Sequence, residues 1–274
     1  MRYQHAGAGP SQTAEPERAA PLRTAMAPTT YRVRGATEVG LPTAIAVPTS
    51  TNGHGRAAVA ETTSRLRLAR PAFRAWKRSV DLVVSGVALI LLAPVMVLIA
   101  AALLVFDGRP IFYRQFRVGR ARRAFKIVKF RTMRVGAEAE LHAHPALHAR
   151  YISNGYKLRQ AEDPRITRFG RFLRRTSLDE LPQLFNVLIG QMSLVGPRPL
   201  LDTELERVYG AEGSFYEAVR PGMTGVWQVR GRAVRNGEPR KQLELDYICN
   251  WSPMVDVRVL AATPRAVLSR QGAE

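Results

Sequence analysis

The pattern of apolar and polar positions changes abruptly once along the chain. An almost wholly apolar run begins near Ser79 and ends near Phe106, with Pro94 close to its middle. Basic residues crowd both ends. Arg70, Arg74, Lys77 and Arg78 precede the run, and Arg109, Arg114, Arg117, Arg120, Arg122 and Arg123 follow it. Basic flanks of a membrane segment tend to stay on the cytoplasmic side, so both ends are expected there. A helix broken at Pro94 satisfies both flanks, because proline lacks an N–H and clashes with the preceding turn. Each arm is then about 12–15 residues, or roughly 18–22 Å at ~1.5 Å per residue. That is shorter than the ~30 Å hydrocarbon core. The pattern predicts a re-entrant hairpin, with one kinked, tilted spanning helix as the alternative. Its distance from the N-terminus, its length and the lack of a small-residue cleavage site argue against a signal peptide.

Residues 1–70 show no apolar periodicity and are rich in Ala, Thr, Pro, Gly and Arg, which reads as a disordered cytoplasmic tail. Arg65, Arg67, Arg70, Arg74, Lys77 and Arg78 thicken the charge toward the apolar run, as an anchor on anionic lipid does. Beyond the run, Pro110–Arg131 reads as one or two short strands. Gly136–Ala161 reads as a polar helix on which His144 and His148 share a face at i,i+4 spacing, without an acidic or cysteine partner at metal-ligand spacing. Ile166–Arg175 is a basic amphipathic helix suited to a membrane interface or to packing on a protein core. Further helices are expected over Leu181–Leu188, Leu200–Arg220, Leu243–Trp251 and Val255–Leu268, the last interrupted by Pro264. The organisation is thus a tail at 1–70, a membrane-associated re-entrant helix at 71–108 and a cytoplasmic-face domain at 109–274. The fold class is α/β or α+β, small and helix-rich, with interfacial amphipathic helices and few strands.

A formal net charge of +19 implies anionic partners such as lipid head groups or nucleotide phosphates. No nucleic-acid module is recognisable, so no nucleic acid is expected. The single cysteine, Cys249, excludes an internal disulfide framework and a cysteine zinc cluster, and reads as a small packed residue.

Acidic residues are scarce, so Asp179-Glu180 stands out within Ser177-Leu178-Asp179-Glu180-Leu181-Pro182. One reading is structural: Ser177 with Glu180 matches a capping box, and Asp179 sits favourably in the first helical turn. The other is chemical, since a helix N-terminus binds phosphate and a carboxylate beside a bound phosphate is a nucleophile toward phosphorus. Adjacent helical residues point different ways, so the two acids are expected to play different roles. Downstream, Gly196-Pro197-Arg198-Pro199 holds an arginine on a stiff loop, as bidentate phosphate binding requires; a turn with a surface arginine is the plainer reading. Arg220-Pro221-Gly222-Met223-Thr224-Gly225 repeats that chemistry beside Trp227.

At these residues the chain resembles the bacterial sugar transferases, the monotopic polyprenyl-phosphate phosphoglycosyl transferases. The matching stretches are Lys77-Arg78-Ser79-Val80-Asp81, Lys126 through Met133, Asp163-Pro164-Arg165-Ile166-Thr167, Ser177 through Leu184, Gly196-Pro197-Arg198-Pro199 and Arg220 through Gly225. Their common order from about Trp76 nearly to the C-terminus is far more specific than any one of them. The resemblance implies a re-entrant membrane helix with its break at Pro94 and a Mg²⁺-dependent site with Asp179 as metal ligand. It implies an Asp179-Glu180 catalytic pair in which Asp179 is the nucleophile. Substrate and phosphate contacts are carried over to Lys129, Arg131, Arg174, Pro197, Arg198, Pro199, Arg220 and Gln228. The implied reaction moves a sugar-1-phosphate from a UDP-sugar to polyprenyl (undecaprenyl) phosphate through an aspartyl phospho-sugar, priming exopolysaccharide or another glycan. The implied place is the inner membrane of a bacterium, with the catalytic domain on the cytoplasmic face and anionic lipid around it.

Two departures bear on this. The membrane helix has Ala93-Pro94 where the family often has Ser-Pro, so one hydroxyl is missing for the freed carbonyls. Gln228-Val229-Arg230-Gly231-Arg232 stands where Gln-Val-Asn-Gly-Arg is common, which points to altered nucleotide or sugar choice. Larger members carry N-terminal membrane helices and an extra domain; this chain has a polar tail there and resembles the minimal form. The competing class is a non-catalytic basic membrane protein that binds polyanions or scaffolds polysaccharide assembly.

Overall fold

The computed structural model describes residues 29–32, 44–47, 66–67, 70–153, 158, 160, 162–230 and 238–268. Within the expected tail, Thr29–Arg32 (β1) and Ala44–Val47 (β2) pair antiparallel; the rest of the tail before Leu66 lies outside the described residues.

Pro71–Phe106 forms one long helix, α1, with helical backbone on both sides of Pro94. The proline removes one hydrogen bond without ending the helix. Ile90, Leu91, Val97, Leu98 and Val105 are exposed, whereas Asp81, Ser85, Met96, Ile99 and Leu103 are buried. Both arms of α1 are fastened to the same body. In the first arm, Arg78 donates to the Val187 and Leu188 carbonyls at 2.5 and 2.6 Å, and Asp81 Oδ1 accepts from Ser193 Oγ and the Leu194 N–H. At the far end, Asp107 Oδ2 accepts from Thr167 Oγ1 at 2.9 Å. There Arg131 Nη2 also donates to the Asp107 and Gly108 carbonyls at 2.5 and 2.9 Å.

The strands expected after the apolar run are Phe112–Val118 (β3) and Ala124–Phe130 (β4), an antiparallel pair with Tyr113 opposite Lys129 and Val118 opposite Ala124. The polar helix expected next is split into Ala137–Ala143 (α2) and Pro145–Ser153 (α3), because Pro145 cannot continue the first. It is His142, not His144, whose ring meets that of His148, at 4.8 Å. Among the described residues no three His, Cys, Asp or Glu side chains converge as metal ligands.

Arg168–Thr176 (α4) begins where Thr167 Oγ1 accepts from the Gly170 N–H at 2.8 Å, an N-cap of the usual kind. A 3₁₀ turn, Leu178–Glu180, leads into Gln183–Leu188 (α5). Ser193–Val195 (β5) pairs in parallel with Gly222–Thr224 (β6). Between them, the single helix expected over Leu200–Arg220 is two, Asp202–Tyr209 (α6) and Gly213–Glu217 (α7), joined by a 3₁₀ turn. Val226–Arg230 (α8), Glu238–Cys249 (α9) and Pro253–Leu268 (α10) complete the described elements, and α10 runs unbroken through Pro264.

The fold is therefore helix-rich, and among the described residues the strands form separate two-stranded pairs. The main core surrounds β5 and β6 and includes Met192, Leu194, Val195, Leu205, Phe215, Ile248 and Trp251. A second, smaller core joins Met96, Ile99 and Leu103 of α1 to Phe130 and Leu173, with Leu178 and Leu181 packed on it. Leu178 and Leu181 bracket Asp179 and Glu180. The acidic pair thus sits on the small core that the apolar helix shares.

Candidate active site

Ser177 ends α4 in the left-handed region, at φ 56°, and its N–H donates to the Arg174 carbonyl. No capping box forms. The Ser177 side chain caps nothing, and Glu180 Oε1 instead pairs with Lys129 Nζ at 2.6 Å. A charge-assisted bond outweighs a neutral cap, and β4 brings Lys129 within reach. Asp179 is buried beside this pair, at 8% exposure. Its carboxyl is pushed up to about 6, first by burial and then by the Glu180 charge, while Lys129 and Arg174 pull it down. Arg174 is itself largely buried, which lowers its pKa, and Asp179 is the leading counter-charge. Arg174 Nε donates to Thr132 Oγ1 at 2.8 Å. A Cβ on Gly170 would lie 2.1 Å from the Thr132 carbonyl oxygen, so α4 comes this close to the end of β4 only at a glycine.

The second arginine loop is built by backbone contact. A Cβ on Gly222 would sit 2.1 Å from the Gly196 nitrogen, and one on Gly225 2.3 Å from the Gly196 oxygen. The loops carrying Arg198 and Arg220 therefore lie back to back, with the β5–β6 pair between their bases. Glu244 fixes Arg198: its Oε1 accepts from the Arg198 N–H at 3.0 Å, while Oε2 accepts from Tyr209 Oη at 2.5 Å. Arg117, which shares a face of β3 with Tyr113, pairs with Glu204 at 3.4 Å and donates to Gln115 Oε1 at 2.5 Å, and it also feels the Arg198 charge. Tyr113 in turn lies in the fields of Arg117 and Arg174. Asp179, Arg174, Tyr113, Arg117 and Arg198 are thus linked one to the next as electrostatic neighbours.

A buried carboxyl at one end of a cationic lane is suited to phosphoryl chemistry. A family description, "Bacterial sugar transferase", matches residues 72–270. The chain belongs to the bacterial sugar transferase family. It is 44% identical over 210 residues to the UDP-galactose-lipid carrier transferase of Erwinia amylovora, covering 75% of this chain and 43% of that protein. It is 43% identical over 209 residues to the undecaprenyl-phosphate galactose phosphotransferase of Salmonella typhimurium, at 75% and 43% coverage. With the exopolysaccharide production protein ExoY of Rhizobium meliloti the identity is 39% over 196 residues, at 71% and 86% coverage. The chain spans less than half the length of the first two and most of the third.

Within this family member the positions expected from sequence divide. Asp179, Glu180, Lys129 and Arg174 come together. Arg198 stands at the far end of the lane, with Pro197 and Pro199 as buried supports. Arg131 is committed through Nη2 to the end of α1. Gln228 is buried and donates to the Met223 carbonyl at 3.0 Å, which closes the Gly222–Gly225 loop. Arg220 is not with Asp179; its charged neighbours are Arg120, Arg78, Asp81 and Arg74. Sequence reading missed Tyr113, Arg117 and Glu244. The first two sit four apart in an expected strand, the spacing of one face; Glu244 is a carboxylate set between Leu243 and Leu245.

Proposed function

We propose that this chain transfers a sugar-1-phosphate from a UDP-sugar to a polyprenyl phosphate, priming a surface or secreted glycan. The observation that carries the reading is the buried Asp179, held between Lys129, Glu180 and Arg174 on a turn that packs on the same small core as α1. The relatives' names supply the substrate classes, a UDP-sugar and an undecaprenyl phosphate carrier.

In this reading an Asp179 oxygen attacks the sugar-linked phosphorus. The bond from that phosphorus to the bridging oxygen breaks, and UMP leaves with the electron pair. A phosphate oxygen of polyprenyl phosphate then attacks the same phosphorus, releasing Asp179 and forming polyprenyl-diphosphate-sugar. Two bulky anions can then use one site in turn. Asp179 near pH 7 is mostly ionised, yet poorly solvated, which favours attack. Arg174 and Lys129 are placed to neutralise phosphoryl oxygens, with Arg198 along the lane for the remaining phosphate. Glu180 holds Lys129 in position and is the second acid for proton handling.

Mg²⁺ is part of the proposal. This ion takes one or two protein carboxylates and fills its shell with water and substrate phosphates, which is what Asp179, with Glu180 beside it, offers. When bound it supplies charge neutralisation on the diphosphate.

The same reading makes α1 re-entrant, with the catalytic domain on the cytoplasmic face of a bacterial inner membrane. Its support is that residues 78–81 and 96–107 of one chain segment bind the same domain, which a straight crossing does not allow. Phe106, Phe169 and Phe172 form a chain of aromatic contacts beside the far arm, and Phe106 and Phe172 are largely exposed, as at an interface.

The test is UMP release from a panel of UDP-sugars with undecaprenyl phosphate and Mg²⁺, for wild type and Asp179→Asn. Release by wild type with one sugar, and none by the variant, is expected. Equal release by the two proteins would overturn the nucleophile assignment, and failure with every nucleotide sugar would overturn the reaction class.

A further inference from the structure

Arg220 does not serve Asp179, and its surroundings show a second site. A shallow, open pocket is lined by Arg74, Lys77, Asp81, Arg120, Ser193 and Arg220. Lys77 is already paired with Asp256 at 2.5 Å. Asp81 Oδ1 is occupied by Ser193 and Leu194, and its Oδ2 is buried without a partner. The guanidinium groups of Arg74, Arg120 and Arg220 have no hydrogen-bonding or ion-pair partner among the described residues. Burial lowers the pKa of both Arg120 and Arg220, and neighbouring arginines lower it further. Three half-buried like charges against one acid are costly unless a counter-anion joins them.

The pocket is remote from Asp179. Arg120 lies in the turn that closes β3 and β4, whereas Lys129 stands five residues up β4 from Ala124, or about 17 Å at ~3.3 Å per residue. It opens at the first turns of α1, where Arg74, Lys77 and Asp81 share one helix face at the start of the apolar run. We propose that Arg74, Arg120 and Arg220 form a second phosphate-binding pocket, built to take a phosphate oxyanion at the base of the membrane helix. Three forked donors converging on one opening match the tetrahedral oxygens of a phosphate. The position at the foot of α1 favours the phosphodiester of an anionic lipid; a soluble phosphate has the same chemistry. The assignment is independent of the role given to Asp179.

The full chain in neutral maltoside micelles is titrated separately with dihexanoyl-phosphatidylglycerol and with pyrophosphate. The proteins compared are wild type, Asp179→Asn, Arg74→Gln/Arg120→Gln, the charge-matched control Arg207→Gln/Arg265→Gln at two exposed sites, and Arg74→Lys/Arg120→Lys. One of the two probes is expected to bind wild type, Asp179→Asn and the control alike. It should bind Arg74→Gln/Arg120→Gln about tenfold more weakly or worse, from loss of two charge-assisted contacts, with the lysine variant between. Dependence seen with the lipid makes the pocket a headgroup site, and dependence seen with pyrophosphate makes it a soluble-anion site. Removing unpaired like charges should leave the melting temperature unchanged or higher, so weaker binding does not reflect unfolding. If Arg74→Gln/Arg120→Gln binds both probes as wild type does, or loses no more than the control, the proposal is overturned.

Discussion

Lys129 Nζ lies 2.6 Å from Glu180 Oε1, one residue along the chain from the buried Asp179. The lysine that lowers the Asp179 pKa is held by the acid that raises it. The two effects can be separated by substitution.

Asp179 must be ionised to attack, so UMP release should fall as pH drops through about 6. Glu180→Gln removes a charge that raises this pKa and leaves Lys129 facing Asp179, so the acid limb of kcat/KM should move to lower pH. Lys129→Met should move it higher. The profiles of the residual activities check both signs, and an unmoved limb in Glu180→Gln would contradict the coupling.

A carboxyl whose pKa is raised on folding holds its proton in the native state between about 4 and 6, where the unfolded chain has lost it. Stability therefore declines as pH rises through that window and stays lower above it. Asp179→Asn should lose transfer yet gain stability at pH 8, by about 1–3 kcal/mol at ~1.4 kcal/mol per unit. Denaturant melts at pH 8 and pH 4 measure this; the gain should vanish at pH 4.

Gly222→Ala places a methyl group 2.1 Å from the Gly196 nitrogen, against backbone that cannot move aside. The two arginine loops must separate, at a cost of about 1–3 kcal/mol, or roughly 2–10 °C in Tm. Calorimetry or circular dichroism detects the shift, and an unchanged Tm would mean that the loops pack less tightly than described.

Glu244→Gln keeps the shape of the side chain but removes the charge that receives the Arg198 N–H and Tyr209 Oη. Arg198 should lose its fixed placement, raising KM for the nucleotide sugar about tenfold with a smaller change in kcat, as expected for roughly 1.4 kcal/mol of ground-state binding. Steady-state kinetics decides it; a fall in kcat alone would argue against a binding role for Arg198.

A cysteine at position 70 or 109, placed in a Cys249→Ala background, should be closed to a membrane-impermeant thiol reagent added from the periplasmic side and open to it in inverted vesicles. Labelling of either site from the periplasm would rule out the re-entrant reading of α1.

The apolar run with basic flanks, the helix from Arg168, the β3–β4 pair and the Asp179-Glu180 motif were legible in the order of residues alone. Each depends on local pattern: period, flank charge or a turn signal. What the order of residues could not show was who faces whom. Ser177 and Glu180 have the spacing of a capping box, but β4 brings Lys129 to Glu180 from 51 residues away and wins it. Arg220 reads as a partner of Arg198 because their loops look alike, yet the glycine contacts turn the loops back to back. Arg220 then joins Arg74 and Arg120 instead. The β5–β6 pair has three residues per strand, too few for any period, and exists because two glycine-bearing loops meet. Sequence by itself determined which side chains can do chemistry and which segment seeks lipid. The tertiary structure decided which charges are neighbours, because Coulomb energy and burial depend on distances that no local pattern encodes.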